Sequence, residues 1–351
     1  MRRFSCEHCG QAAPFDAQRC DRCGRALGYL PSAVDVRTLA GDPSGTTFRA
    51  AGHEAGLWRC LNSAWGCNWL LEADGGNVWC RSCRLTRGRP DEADPVAVAA
   101  WSSAEADKRR LVHQLDAIGL PVEGRAPATP NGLAFDLVHL PGHPGVTGHL
   151  DGVVTLDLTE TDDRHRDELR RALTERYRTV IGHLRHEIGH YYWSALVAGH
   201  PTIDEFRALF GDERSDYGRA LERHYGTTSP DWDPGTHITS YAGVHPLEDW
   251  AESFAHYLLI EDADDTANAY GLSVEPDRVT PSTGRGLGPD PAATLRRWQR
   301  IVRATNAVGS AIGAPELYPY ELRGVVIDKL VFVHRRVEVL RARPGGAPIV
   351  D

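Results

Sequence analysis

His186, Glu187 and His190 stand in the run Arg185-His186-Glu187-Ile188-Gly189-His190-Tyr191-Tyr192-Trp193, an H-E-x-x-H spacing. On a helix, side chains four apart lie about 40° apart around the axis, so both imidazoles can reach one metal ion. Glu187 projects beside them and can take a proton from a water activated by that ion. Ile181, Leu184, Ile188, Tyr191 and Ala195 form an apolar stripe on roughly the opposite side. The pattern predicts a helix that buries one face and turns two histidines towards a cleft. The bland alternative, a pair of ordinary helix histidines, does not account for that segregation.

A hydrolytic zinc site needs a third protein ligand and an open fourth position. The extended form H-E-x-x-H-x-x-G-x-x-H would need glycine and histidine where Trp193 and Leu196 stand. The methionine turn that accompanies it is excluded, because the only methionine is Met1. The best source of a ligand lies downstream, in Ser240-Tyr241-Ala242-Gly243-Val244-His245-Pro246-Leu247-Glu248-Asp249-Trp250-Ala251-Glu252-Ser253-Phe254. Pro246 suits the first turn of a helix, which makes Glu248 and Glu252 an i,i+4 carboxylate pair. Two carboxylates on a partly apolar face repel unless a cation sits beside them. A solvated acidic pair is the alternative reading.

The cysteines supply a second chemistry. Cys6-x2-Cys9 and Cys20-x2-Cys23 are each followed by a glycine, Gly10 and Gly24, that lets the chain turn back and aim amides at the thiolates. Two such knuckles make a closed tetrahedral site. Cys60, Cys67, Cys80 and Cys83 form a looser second set, and the eight cysteines divide into two consecutive fours with none left over. Four thiolates leave no open position for substrate, so structural zinc is preferred to redox or iron chemistry. Metal binding there is folding energy for a segment with little core of its own.

These residues need elements to position them. All eight cysteines precede residue 84, and a boundary is expected near Gly88–Pro95. Beyond it, Ala97–Ile118 reads as a helix, and Leu133–Val138 and Val153–Leu158 read as strands. The latter is expected either to offer an edge to an extended peptide or to be a plain core strand. Helices are predicted over 167–198, about 202–224, 246–260, 291–312 and 319–341, with irregular segments at 226–244 and 271–290. The fold expected is α+β: small β-rich zinc modules followed by a mainly helical catalytic domain.

Bulk properties narrow the classes. With 41% apolar and 25% charged residues, the 351-residue chain is that of an ordinary globular protein. No run of about 20 apolar residues suggests a membrane span. The opening Met1-Arg2-Arg3-Phe4-Ser5-Cys6 is not a secretory signal, so a reducing, cytoplasmic location is expected, where cysteines serve metals more often than disulfides. Residues 1–90 carry 12 Arg against 8 acidic residues, a net of +4, and the remainder carries 27 basic and 40 acidic, a net of −13. The basic part lacks the runs and stacking aromatics of a nucleic-acid binder.

The ribbon cysteines, the R-H-E-I-G-H-Y-Y-W run and the E-D-W-A-E-S-F-A-H-Y segment together resemble the bacterial family of zinc-binding metallopeptidases with an N-terminal zinc ribbon. The Ser240–Phe254 stretch is also similar to the third-ligand helix of anthrax lethal factor. The resemblance implies a zinc-ribbon region with two four-cysteine sites over 1–90 and a zincin-like peptidase domain of the gluzincin type over 91–351. It implies Glu248 as the third ligand, Glu252 as an acid that orients a histidine, and Tyr241 as a stabiliser of the oxyanion. The 57 residues between His190 and Glu248 exceed the spacing of thermolysin-like enzymes, which leaves Glu205, Glu222 and Asp249 open as ligands.

The function expected is zinc-dependent hydrolysis of a peptide or protein substrate, with one catalytic and two structural Zn2+ and with Glu187 as general base. A partner protein could dock on the ribbon. Two rivals are weighed: a deformylase-like hydrolase, which would need a cysteine ligand that the downstream chain lacks, and a non-catalytic zinc-ribbon scaffold with a degenerate peptidase domain.

Overall fold

The computed structural model describes residues 2–41, 47–72, 75–139, 147–173, 177–226, 232–274 and 287–342. The N-terminal third is β-rich. A two-stranded hairpin, β1 (Phe4–Ser5) and β2 (Ala12–Ala13), carries the first cysteine knuckle between its strands. A five-stranded antiparallel meander follows: β3 (Leu27–Leu30), β4 (Asp35–Ala40), β5 (Phe48–Ala50), β6 (His53–Arg59) and β7 (Leu70–Glu72). A bridge between Tyr29 and Trp69 brings the end of the meander back beside its start.

The rest is mostly helical, in line with the α+β expectation. α1 (Pro95–Ile118) begins where the Asp94 carboxylate accepts from the amides of Val96 and Ala97, and it stops at Gly119 with φ 79°. A small sheet of β8 (Ala134–Val138), β9 (Gly148–Leu150) and β10 (Val153–Asp157) lies beside it. Then come α2 (Asp163–Leu173), α3 (Val180–Leu196), α4 (Ile203–Phe210), α5 (Tyr217–Tyr225), α6 (Pro246–Ala269), α7 (Pro291–Ala311) and α8 (Val325–Arg341). α3 and α6 form the most extensive contact in the fold, with α1 and α8 against them and β9–β10 along α3.

Several predicted elements divide or shift, each for a local reason. The single helix predicted over 167–198 is two, because Thr179 takes an extended conformation and its hydroxyl accepts from the Gly182 amide, starting α3 afresh. The 202–224 prediction divides at Gly211, with φ 103°, and restarts at the Asp216 cap. The 319–341 prediction starts late: Tyr318 and Tyr320 are buried in a non-helical approach that packs on His256, and α8 begins after Gly324. α6 runs past the predicted residue 260, because its polar second half is held by buried partners, Gln114 for Glu261 and Arg297 for Asp264. The irregular stretch expected at 271–290 lies largely outside the described residues. No helix among the described residues is long and apolar enough to cross a membrane.

Candidate metal centres and active site

Each cysteine set brings its four sulfurs within 4.8 Å of one another. Four sulfurs about 2.3 Å from one zinc ion must lie about 3.8 Å from one another. The separations include 3.7 Å for Cys6–Cys23, 3.6 Å for Cys9–Cys20, and 3.8 Å for both Cys67–Cys80 and Cys67–Cys83. A disulfide would bring the sulfurs to about 2.05 Å, so these are metal-type contacts. In the first set Gly10 and Gly24 both sit at φ 71°, and their amides close the two knuckle turns on Cys6 and Cys20. In the second, the six-residue gap folds into a 3-10 turn over Leu61–Trp65. Gly66 at φ 86° then returns the chain to Cys67.

The two sets differ in depth. Cys9 and Cys23 of the first are partly exposed, whereas all four of the second are buried. The second set packs on α1, where buried Lys108 pairs with buried Glu105 at 2.7 Å and the Glu105 carboxylate lies 3.8 Å from the Cys83 sulfur. Arg109, also buried, approaches Glu105 at 3.9 Å. Two buried cations against one carboxylate leave positive charge that a dianionic metal tetrathiolate would balance.

The third cluster joins α3 to α6. The Nε2 atoms of His186 and His190 are 3.2 Å apart, and Glu248 Oε2 is 3.1 Å from the first and 3.5 Å from the second. Ligand atoms about 2.0–2.1 Å from a tetrahedral ion are separated by about 3.3 Å, so these three atoms outline one face of a zinc tetrahedron. His186 Nδ1 faces Glu252 Oε1 at 2.7 Å, which places its proton on Nδ1 and leaves the Nε2 lone pair pointing at the other two atoms. Glu248 Oε2 is buried without a hydrogen-bond partner. Facing lone pairs and an orphaned carboxylate oxygen repel unless a cation lies among them, so the donor set fits zinc.

The electrostatics agree. Burial opposes charge on His186, but the Glu248 and Glu252 carboxylates beside it outweigh that and raise its pKa, so the pocket favours a cation on the Nε2 side of the ring, a role that a metal ion fills with no proton on Nε2. Burial likewise opposes ionisation of Glu252, yet the bond to His186 brings its pKa down to about 2. The cluster demands positive charge. Thr239 completes the brace, its hydroxyl donating to Glu252 Oε2 at 2.7 Å.

The close approach of the two helices has a sequence cause. Gly189, inside the histidine motif, packs against the α6 backbone, where a Cβ would meet Ala251 Cα at 2.9 Å. Trp250 Nε1 donates to the Gly189 carbonyl at 2.8 Å, fixing the register. The open side of the ligand triangle faces a cavity of about 560 Å³ lined by His186, Glu187, His190, Tyr217, Tyr241 and the β9 segment, among others.

Of the residues predicted from sequence, His186, His190 and Glu248 converge, Glu252 meets the far nitrogen of His186, and Glu187 and Tyr241 line the cavity. The Tyr241 ring centroid is 5.9 Å from that of His186, and burial raises its hydroxyl pKa far above normal. The alternative ligands lie elsewhere. Asp249 turns away to Lys329 at 2.5 Å, Glu205 pairs with Arg335 on the surface, and Glu222 is exposed on α5. The edge-strand reading of Val153–Leu158 is overturned: β10 lies between β8 and β9, paired on both sides, and the strand lining the cavity is β9. Sequence reasoning missed β9 because three residues, Gly148-His149-Leu150, are too few to show alternation. It also missed Tyr217, whose hydroxyl donates to Glu248 Oε1 at 2.6 Å, because nothing near it in the chain distinguishes it.

Residues 97–336 match the family described as "Putative zinc-binding metallo-peptidase", and residues 3–94 match a zinc-ribbon domain. The chain belongs to that zinc-binding metallopeptidase family and carries an N-terminal zinc ribbon. It is 39% identical over 341 residues to uncharacterized proteins of Mycobacterium bovis and Mycobacterium tuberculosis, with 96% of each chain covered. No solved structure matches it.

Proposed function

We propose that the chain is a peptidase of the gluzincin type, with His186, His190 and Glu248 as the ligands of one catalytic zinc and the two four-cysteine sets as structural sites. The observation that carries this reading is the three-cornered ligand set, 3.1–3.5 Å on each edge, opening onto a cavity that also holds Glu187. A closed structural site would have a fourth protein corner. The scaffold alternative does not call for a proton acceptor at an open corner.

When bound, the ion supplies Lewis acidity, polarising a scissile carbonyl and acidifying a water. Glu187 takes the proton from the attacking water and passes it to the leaving amine. Glu252 holds His186 in the tautomer that ligates, as its lethal-factor counterpart position implies. Tyr241 donates a hydrogen bond to the oxyanion of the tetrahedral intermediate, a contribution of about 3 kcal/mol. An extended peptide pairs with the edge of β9 that no described strand occupies, which sets the carbonyl between Glu187 and Tyr241. In this reading residues 1–90 are the ribbon region, which offers a docking surface for a partner protein, and 91–351 the peptidase domain acting in the cytoplasm.

Glu187→Gln tests the mechanism. The variant should keep its fold and all its zinc while losing about 10²–10⁴-fold in cleavage of any peptide the wild type cuts. Turnover within a few fold of wild type, measured on the same peptide, would sink the assignment of Glu187.

A further inference from the structure

Among the described residues, Tyr217 is the side chain that grips a metal-facing group from outside α3 and α6. Its hydroxyl donates to Glu248 Oε1 at 2.6 Å, while Oε2 of the same carboxylate faces the two histidines. A glutamate ligand can bind through one oxygen or both. Here one oxygen is already engaged by a donor, and the other is buried and orphaned.

The surrounding structure delivers the two groups to each other. His245 Nδ1 accepts from the Leu247 amide at 3.2 Å and caps α6 one turn before Glu248. That leaves Nε2 carrying the proton, and it donates to the Ser215 carbonyl at 3.0 Å, two residues before Tyr217. The Tyr217 and His245 rings also meet edge to face, with centroids 5.1 Å apart. One buried histidine thus clamps the start of α5 to the start of α6.

Resting on the peptidase reading above, we propose that Tyr217 is a positioning residue that holds Glu248 Oε1 off the ion, so that Glu248 ligates through Oε2 alone and the fourth corner stays open for water and substrate. The proposal explains why a cavity-facing tyrosine, 40% exposed, bonds a carboxylate rather than solvent. Tyr241, which lines the same cavity, has the oxyanion role in the reading above, so the two tyrosines divide the work.

The test uses the full chain with zinc kept in both thiolate sites and cobalt exchanged into the histidine site by brief chelation. Tyr217→Phe removes a single oxygen from a half-exposed ring, so the fold is retained. The wild-type cobalt spectrum should be that of a four-coordinate site. In Tyr217→Phe the visible absorption should fall as Oε1 joins the coordination shell, and kcat should drop about 10- to 100-fold while KM changes little. An unchanged spectrum with unchanged kcat would overturn the positioning role and leave the peptidase reading standing. A wild-type protein that takes no cobalt at the histidines, judged against His186→Ala, would overturn both. As a second variant, His245→Gln should shift the spectrum in the same direction by releasing the clamp, and a spectrum identical to wild type would count against the clamp.

Discussion

The candidate metal ligands are gathered in two ways, and the contrast separates the proposed structural sites from the proposed catalytic one. Each cysteine site is assembled from two short turns close in sequence, and its four sulfurs enclose the ion position on every side. The histidine site draws two candidate ligands from one helix and a third from a helix 58 residues later. It stops at three corners, with the cavity at the fourth. A thiolate site can therefore form from local turns and make folding energy. The histidine site can form only once α3 and α6 have packed, so it consumes precision that the rest of the fold must supply. In the proposed reading, closed corners stabilise and an open corner reacts.

The largest effect should come from breaking a closed corner in the deeper thiolate site. Cys80→Ser opens a site that is wholly buried against α1 and leaves Lys108 and Arg109 facing a single carboxylate. Removing one side of such a buried charge balance costs about 3–5 kcal/mol, beyond the lost metal binding. Zinc content should fall by one ion, and urea unfolding of the helical part should shift to clearly lower denaturant. Cys9→Ser, in the shallower set, should also lose one zinc but move the same transition by less than about 1 kcal/mol. Equal shifts for the two variants would break the distinction between a deep site and a shallow one.

That contrast also sets what could be seen before folding. The thiolate sites were legible because both the ligands and the turns that aim them lie within a few residues, Gly10 and Gly24 included. The histidine pair and Glu187 were legible for the same reason, one helix period. Pro246 and the Glu248/Glu252 spacing marked a helix with a paired acid, but preferring Glu248 to Glu205, Glu222 or Asp249 rested on the family resemblance. Beyond that the information is tertiary. Tyr217 sits in a charged stretch, Asp212 to Glu222, and its contacts with His245 and Glu248 are made only across the fold. The choice of β9 over β10 as the cavity strand depends on sheet order, which neither strand's composition encodes. The division of 167–198 into two helices turned on one threonine cap, a weak signal within a long periodic run.

A moderate effect is expected where the β-rich part meets the helices. His113 on α1 is buried against Phe4 and Phe15, and its Nδ1 is 2.8 Å from the Tyr29 hydroxyl. Burial pulls its pKa down from the usual 6.5 to about 4. Between those values the unfolded chain binds the proton and the folded chain does not, so acid favours unfolding. The stabilisation is complete above about pH 6.5 and declines towards pH 4, by on the order of 2 kcal/mol. Thiolate sites also release metal in acid, so the informative quantity is a difference. His113→Gln keeps a partner for Tyr29 but cannot charge, and its urea midpoint should lose less than that of the wild type between pH 7 and 5. Parallel pH dependences would show that acid acts only through the thiolates.

The smallest effect should be the most specific to the open site. Gly189→Ala places a methyl group 2.9 Å from Ala251 Cα and 3.1 Å from its carbonyl oxygen. Helix propensity favours alanine by about 1 kcal/mol. The neighbour is backbone, however, and cannot swing aside as a side chain could, so overpacking costs about 1–3 kcal/mol. The balance should be a loss of about 1 kcal/mol, lowering the melting temperature by a few degrees. The geometric consequence is sharper than the energetic one. Ala251 lies one turn after Glu248 on α6, and Gly189 lies beside His190 on α3. Pushing the helices apart there widens the gap between the histidine nitrogens and Glu248 Oε2, which is now 3.1–3.5 Å. Zinc should leave the histidine site readily in a mild chelator while both thiolate sites keep theirs. If Gly189→Ala melted at or above the wild-type temperature with its histidine-site zinc equally tight, the tight α3–α6 contact would not be what closes the third corner.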